Sequence, residues 1–132
     1  MPDGRYVMQL RDDIPQIWFP GRWGCFGGGV EPGEDSIEAL QRELFEELEF
    51  RPGKVEYFTE LTFDLVPMGL QRYTRIYYVV RMTEDELARV VLHEGKEVRA
   101  IDGDTLLRMM SITPYDEFAL FLHHARQRIA AV

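Results

Sequence analysis

Cysteine is almost missing from this chain: Cys25 stands alone among 132 residues. A lone cysteine excludes an internal disulfide framework and fits a reducing compartment. Long hydrophobic runs are missing too. None approaches the roughly 20 apolar residues that a membrane-spanning helix needs, and the opening MPDGRYVMQL is not a signal peptide. These absences predict a cytoplasmic protein with no membrane partner. Positive charge is in deficit, with 15 Lys and Arg against 23 Asp and Glu and a net charge of -8. That balance lacks the electrostatic footprint of a nucleic-acid binder. A phosphorylated substrate would have to be attracted by something other than bulk charge, and a bound divalent cation is the obvious candidate. There is no internal repeat, no low-complexity tract and no convincing linker. The length and the 45% hydrophobic content suit a single domain over residues 1–132.

What is present reads as strands interrupted by helices. Arg5–Leu10 has the pattern of a short strand, and Arg11–Arg22, with two prolines and a glycine, that of a loop. Trp23–Phe26 is a short apolar strand that runs into Gly27, Gly28 and Gly29. Glu31–Glu34 reads as a turn, since Pro32 presets φ and Gly33 supplies φ > 0. Ser36–Leu48 is the strongest helix. Asp35 and Glu38 form its capping box, and Ile37, Leu40, Leu44 and Leu48 its buried stripe. Val55–Val66 and Gln71–Met82 are strand-like runs, joined by a hairpin turn at Pro67–Leu70. Thr83–Glu86 predicts a short capped helical turn and Val98–Ile101 a strand. Thr113 and Pro114 open a last helix with Phe118, Phe121, Leu122, Ala125 and Ile129 on one face, and Phe118 and Phe121 are expected in the core. The order argues for an α+β sandwich, with a mixed sheet between helices, and against a doubly wound parallel sheet.

Chemistry concentrates on the first helix. Glu43, Glu46 and Glu47 are spaced i, i+3 and i+4, so at about 100° per residue they share one face, away from the apolar stripe. Three like charges this close destabilise an isolated helix, and a solvated acidic face is the ordinary reading of such a cluster. A functional reading needs a cation that turns repulsion into coordination. Hard ions such as Mg²⁺ bind carboxylate oxygens, keep some of their waters and share substrate phosphates.

The surroundings favour the functional reading. Gly28, five residues, Glu34, seven residues, then Arg42-Glu43-Leu44-Phe45-Glu46-Glu47 and, at the end, Phe50 follow a fixed spacing. This resembles the signature of the Nudix hydrolases, Gly-x5-Glu-x7-Arg-Glu-U-x-Glu-Glu-x-Gly-U, where U is a bulky aliphatic or aromatic residue. Glu49 is the one departure, standing where the family has glycine. The resemblance implies a Nudix-type α/β/α sandwich, a MutT-like pyrophosphohydrolase, and Mg²⁺ with Mn²⁺ as a possible substitute. It implies Glu46 and Glu47 as principal metal ligands and Glu43 as a ligand or the general base. Glu34 would be an accessory ligand or orienting acid, Arg42 the residue that fixes a neighbouring glutamate, and the Gly28 carbonyl a backbone ligand. Glu94-Gly95 resembles a loop that supplies a further ligand, with Glu97 as the competing candidate. The implied substrate is a nucleoside diphosphate linked to another group, either a nucleoside triphosphate or a nucleotide sugar. A nucleotide-binding sensor that does not cleave is the alternative.

Other residues point elsewhere. His93, His123 and His124 show no zinc-ligand spacing with Cys25, and Cys25 reads as packing rather than as a nucleophile. Trp18, Phe19 and Trp23 could stack a nucleobase or pack in the core. Tyr73 and Tyr77 share a strand face, and one face of that strand is a candidate pocket wall. Glu49 in place of glycine predicts either a strained left-handed helix end or a different ending. Met1–Gly4 stands where the family has a full strand before an Asp-Gly turn. An exposed sheet edge there would favour a homodimer.

Overall fold

The computed structural model describes residues 1–131. Ten elements follow in order: β1 (Tyr6–Leu10), β2 (Trp23–Gly24), α1 (Ser36–Leu48), β3 (Val55–Asp64), a 3-10 turn (Val66–Met68), β4 (Arg72–Val80), α2 (Glu84–Arg89), β5 (Glu97–Ile101), α3 (Gly103–Met109) and α4 (Pro114–Ala130). The class is α+β, as the element order predicts. β1 lies between β2 and β5 in an antiparallel three-stranded sheet, while β3 and β4 pair as an antiparallel hairpin. The mixed character comes from a parallel bridge between Trp23 and Ile112, closed by Trp23 N–H to Ser111 O (2.8 Å) and Thr113 N–H to Trp23 O (2.8 Å).

Alternation along β1 builds a layer on each face of its sheet. Tyr6, Met8 and Leu10 join Trp23, Ile101, Leu106, Ile112 and Leu120 on the face covered by α3 and α4. Val7 points the other way and packs with Leu44, Leu48, Phe50 and Met82 beneath α1. This is the helix–sheet–helix sandwich. Among the described residues no helix is long and apolar enough to cross a membrane.

α1 forms over the predicted span. Asp35 accepts from the Ile37 and Glu38 amides and Glu38 reaches back to the Asp35 amide, completing the capping box. It ends at Glu49 in the left-handed conformation (φ 55°, ψ 26°), with Glu49 N–H donating to Phe45 O and Phe50 N–H to Leu44 O. The strained ending is therefore the one adopted, because those two bonds close the helix's last carbonyls.

Four expectations need correction. Ile37, expected in the buried stripe of α1, is 39% exposed, and Ala39 is buried instead. Phe118 and Phe121 are not core: they are 50% and 51% exposed. α4 carries apolar residues around most of its circumference, so periodicity alone leaves its rotation open. Ala125 is buried as expected, but it is joined by Ala119, Leu120 and the hydrogen-bonded Asp116, and Ile129 is likewise exposed. β2 stops at Gly24 rather than Phe26, because the Cys25 amide donates to the Asp116 carboxylate (2.9 Å) and not to a neighbouring strand. The hairpin connection is a 3-10 turn from Val66 to Met68, ended by Gly69 at φ 76°.

Candidate active site

The acids of α1 are organised by one guanidinium. Arg42 makes a two-pronged contact with Glu34, Nε to Oε2 at 3.1 Å and Nη2 to Oε1 at 2.8 Å. Its Nη1 donates to Glu43 (2.7 Å) and Glu46 (3.1 Å), and its Nη2 also reaches the Gly29 carbonyl (3.0 Å). Fork geometry lets a single arginine hold several carboxylates and a carbonyl at once. The Arg42 bond and the Glu31 amide hold the Glu34 carboxyl below its ordinary range, and Arg42 is in turn held protonated by Glu34 and Glu43. The Gly27–Gly29 turn is thereby laid against α1. A Cβ on Gly28 would sit 2.4 Å from the Glu43 carboxyl carbon, so only glycine allows this approach.

Glu47 is different. It is 4% exposed, and its Oε2 has no hydrogen-bond partner among the described residues. Burial pushes its carboxyl up to about 8; the charges of Glu94 and then Glu43 add to this, while the Gly27 amide and Arg11 pull it back. A buried carboxylate oxygen without a partner is costly unless something positive meets it.

Glu94 follows His93 in a loop, and its charge acts on Glu47. Its loop is fastened to the end of α1 by His93 N–H to Glu47 O (2.8 Å) and Val91 N–H to Leu48 O (3.0 Å). Glu97 lies on β5 and is spent on the Arg99 guanidinium (2.7 Å to Nε). The structure thus brings Glu94 to the acids of α1 and leaves Glu97 outside.

As they stand, no three carboxylates, imidazoles or thiols among the described residues converge tightly enough to hold an ion. Arg42 draws Glu34, Glu43 and Glu46 to itself, while Glu47 points inward. The donor set nevertheless fits a hard cation in kind: carboxylate oxygens, one of them buried and unsatisfied, and a glycine turn that permits close approach.

The remaining candidates sort by location. His123 bonds Tyr6 Oη (2.7 Å) and His124 bonds Asp104 (3.2 Å), both on the α4 side. His93 faces Glu49 at 3.5 Å. Burial and the Asp116 charge push the Cys25 thiol well up, which suits packing rather than attack. Trp23 is core. Tyr77 Oη donates to Asp116 (3.0 Å), which also accepts from Thr113 Oγ1 (2.7 Å), and this knot ties β2 and β4 to the start of α4. Trp18 (41% exposed) packs edge-on against Tyr73 and Phe19, Phe19 against Tyr115, and Arg75 stacks over Tyr115 at 3.7 Å. Arg11, whose Nε donates to Trp18 O (3.0 Å), acts electrostatically on both Glu47 and Tyr115. Sequence reasoning missed Gln9, Arg11, Asp12 and Tyr115. No local pattern marks them, because their neighbours are distant in the chain.

A helix–sheet–helix sandwich with clustered acids on α1, facing a glycine turn, defines a class of α+β domain. Residues 2–128 match the NUDIX domain profile, and the chain belongs to the Nudix family. It is 48% identical over 60 residues to a nucleoside triphosphatase, NudI, of Escherichia coli O1:K1, a match that covers 46% of this chain and 39% of that protein. The chain therefore matches well under half the length of that curated relative. In structure it is similar to a MutT NUDIX hydrolase from Burkholderia pseudomallei (TM-score 0.72, 21% identity, 90% of this chain and 88% of that one). It also resembles the E. coli dihydroneopterin triphosphate pyrophosphohydrolase (TM-score 0.65, 19% identity, 89% and 83%). The DNA-complexed NrtR of Shewanella oneidensis shares the fold as well (TM-score 0.67, 18% identity, 95% of this chain and 54% of that one).

Proposed function

We propose that the chain is a Mg²⁺-dependent pyrophosphohydrolase, with Mn²⁺ as a possible substitute, that cleaves a diphosphate bond in a nucleoside diphosphate derivative. The observation that carries this reading is Glu47, a buried carboxylate with an unpartnered oxygen beside Glu43, Glu94 and the Gly28 turn. A purely solvated acidic face would leave that burial unexplained.

Glu46 and Glu47, with Glu43, Glu94 and the Gly28 carbonyl, would hold the cation. When bound, it neutralises phosphate oxygens and lowers the pKa of an attacking water. The protein's own groups do the rest. Glu43 or Glu46 takes the proton of the attacking water, and the Arg42 contacts to both orient their carboxylates. Glu34, gripped by two Arg42 nitrogens, fixes the guanidinium in turn. The Gly27–Gly29 backbone leaves room for phosphates to approach.

The similarity to a nucleoside triphosphatase favours a nucleoside triphosphate over a nucleotide sugar as substrate. The partner is a small nucleotide, not a nucleic acid, in keeping with the net charge of -8. The test is a panel of nucleoside triphosphates and nucleotide sugars incubated with Mg²⁺ and analysed for products. Release of a nucleoside monophosphate is the expected result. Turnover that persists in excess chelator would overturn the reading.

A further inference from the structure

Two polar side chains outside the Nudix signature converge on the loop that carries Glu94. Gln9 is buried, 4% exposed, at a β1 position whose side chain turns toward the α1 layer, as that of Val7 does. Its Nε2 donates to the Glu94 carbonyl at 2.8 Å. Asp12 Oδ2 accepts from the Gly95 amide at 3.1 Å. The neighbouring Lys96 N–H to Leu10 O bond (2.8 Å) continues the β1–β5 ladder, whereas the Gln9 and Asp12 bonds belong to no ladder. Gly95 is seated so tightly that a Cβ there would lie 2.8 Å from both Gln9 Cγ and Leu10 O, and its φ is +86°. On the other side, His93 N–H holds the Glu47 carbonyl. The backbone of Glu94 is thus fixed before, at and after the residue.

This fastening works against electrostatics. Glu94 and the buried Glu47 carry like charges, and a free loop would let them move apart. A leucine in place of Gln9 would extend the apolar cluster around Val7 but leave the Glu94 carbonyl without its donor. We propose that Gln9 and Asp12 are positioning residues, a clasp that holds Glu94 over the buried Glu47 so that the two carboxylates present one preformed edge to a divalent cation. The inference rests on the hydrolase reading above and adds to it the residues that place Glu94. Pre-placing a ligand in this way removes an ordering cost from binding.

Mn²⁺ binding, followed by electron paramagnetic resonance on the nucleotide-free full chain, tests the clasp without turnover. Outer residues that orient a metal ligand typically change metal affinity about 10-fold or more. Gln9→Met, which keeps the side chain's length and removes its donor, and Asp12→Ala should each weaken Mn²⁺ binding by about that factor. Asp12→Asn, which keeps an acceptor for the Gly95 amide, should restore most of it. Both Asp12 variants remove the same charge, so their difference reports the hydrogen bond alone. The partly exposed Asp12 pair keeps the test decisive if Gln9→Met folds poorly. If Glu94→Gln weakens Mn²⁺ binding while Asp12→Ala and Asp12→Asn bind alike with wild-type affinity, the clasp is overturned and the hydrolase reading stands. If Glu94→Gln binds Mn²⁺ as tightly as wild type, the ligand role of Glu94 falls and the clasp with it.

Discussion

Glu47 is a carboxylate whose surroundings suit its neutral form until a cation arrives. Burial, reinforced by the Glu94 and Glu43 charges, raises its folded-state pKa to about 8 from an ordinary value of 4.5. Between those values the folded state holds a proton that the unfolded chain releases, so the sign is fixed: rising pH favours unfolding. In chelator, the melting temperature should therefore fall as pH climbs from about 5 to 8. Mg²⁺ should restore more stability at pH 8 than at pH 5, because it binds the ionised form. Calorimetric scans across that range check this, and a flat or rising melting temperature in chelator would count against the buried, unpaired carboxylate. Glu49 gives a second test at the same scale. It adopts φ 55° at the helix end, a conformation that costs a non-glycine residue about 1–2 kcal/mol, and it adds negative charge at the negative end of the helix dipole. Glu49→Gly should stabilise the protein by about 0.5–1.5 kcal/mol, after the unfolded-state entropy of glycine takes its share. A lower melting temperature for that variant would contradict the strain. The acids of α1 were legible at this scale because their spacing is local, and so was the left-handed alternative at Glu49. Gln9, Arg11 and Asp12 were not, since each meets the site through an amide, a carbonyl or a field supplied by residues far along the chain.

Elements whose limits are set by their own side chains were read well. α1 begins where Asp35 caps it, and α2 begins at Thr83, whose hydroxyl and Glu86 form a second capping box. Elements placed by tertiary contacts were read less well. α3 is not anticipated at all: it spans seven residues, too few for a periodic stripe, and is capped by Asp102 accepting from the Thr105 amide. The rotation of α4 is not legible in the sequence, because Phe118 and Phe121 fit a stripe with Ala125 as well as Ala119 does; packing selects the smaller residues, which let the helix lie close to its neighbours. The glycine turn yields the prediction at this scale. A methyl group on Gly28 would overlap the Glu43 carboxyl, so Gly28→Ala must move either the turn or the acid. Activity should fall by about an order of magnitude or more, in keeping with the sensitivity of catalysis to displacements of about 1 Å. Unimpaired turnover in Gly28→Ala would remove the turn from the site.

The whole molecule explains why these pieces meet. β1 carries apolar residues for both layers, so α1 with its acids covers one face of the sheet while α3 and α4 cover the other. The Arg11–Arg22 loop then sets Trp18 and Phe19 against Tyr73 and Tyr115, and the Arg11 charge acts on both Tyr115 and Glu47. A bound nucleobase would find aromatic edges and faces there. Trp18→Ala should raise the KM for a nucleotide about 5-fold or more and change kcat much less, since base stacking contributes about 1–3 kcal/mol to binding. Steady-state kinetics separates the two parameters, and an unchanged KM would place the base elsewhere. The family and the sandwich were readable from one motif, whereas this juxtaposition required the folded chain.

Whether the α1 acids hold a cation for cleavage of a diphosphate bond is tested by the turnover of Glu47→Gln at saturating Mg²⁺, compared with wild type under the same conditions. The variant removes one negative charge while keeping the side chain's size, so it should fold and melt no lower than wild type in chelator. Its kcat should drop by about an order of magnitude or more. A folded Glu47→Gln protein that turns over its nucleotide at the wild-type rate would contradict the account.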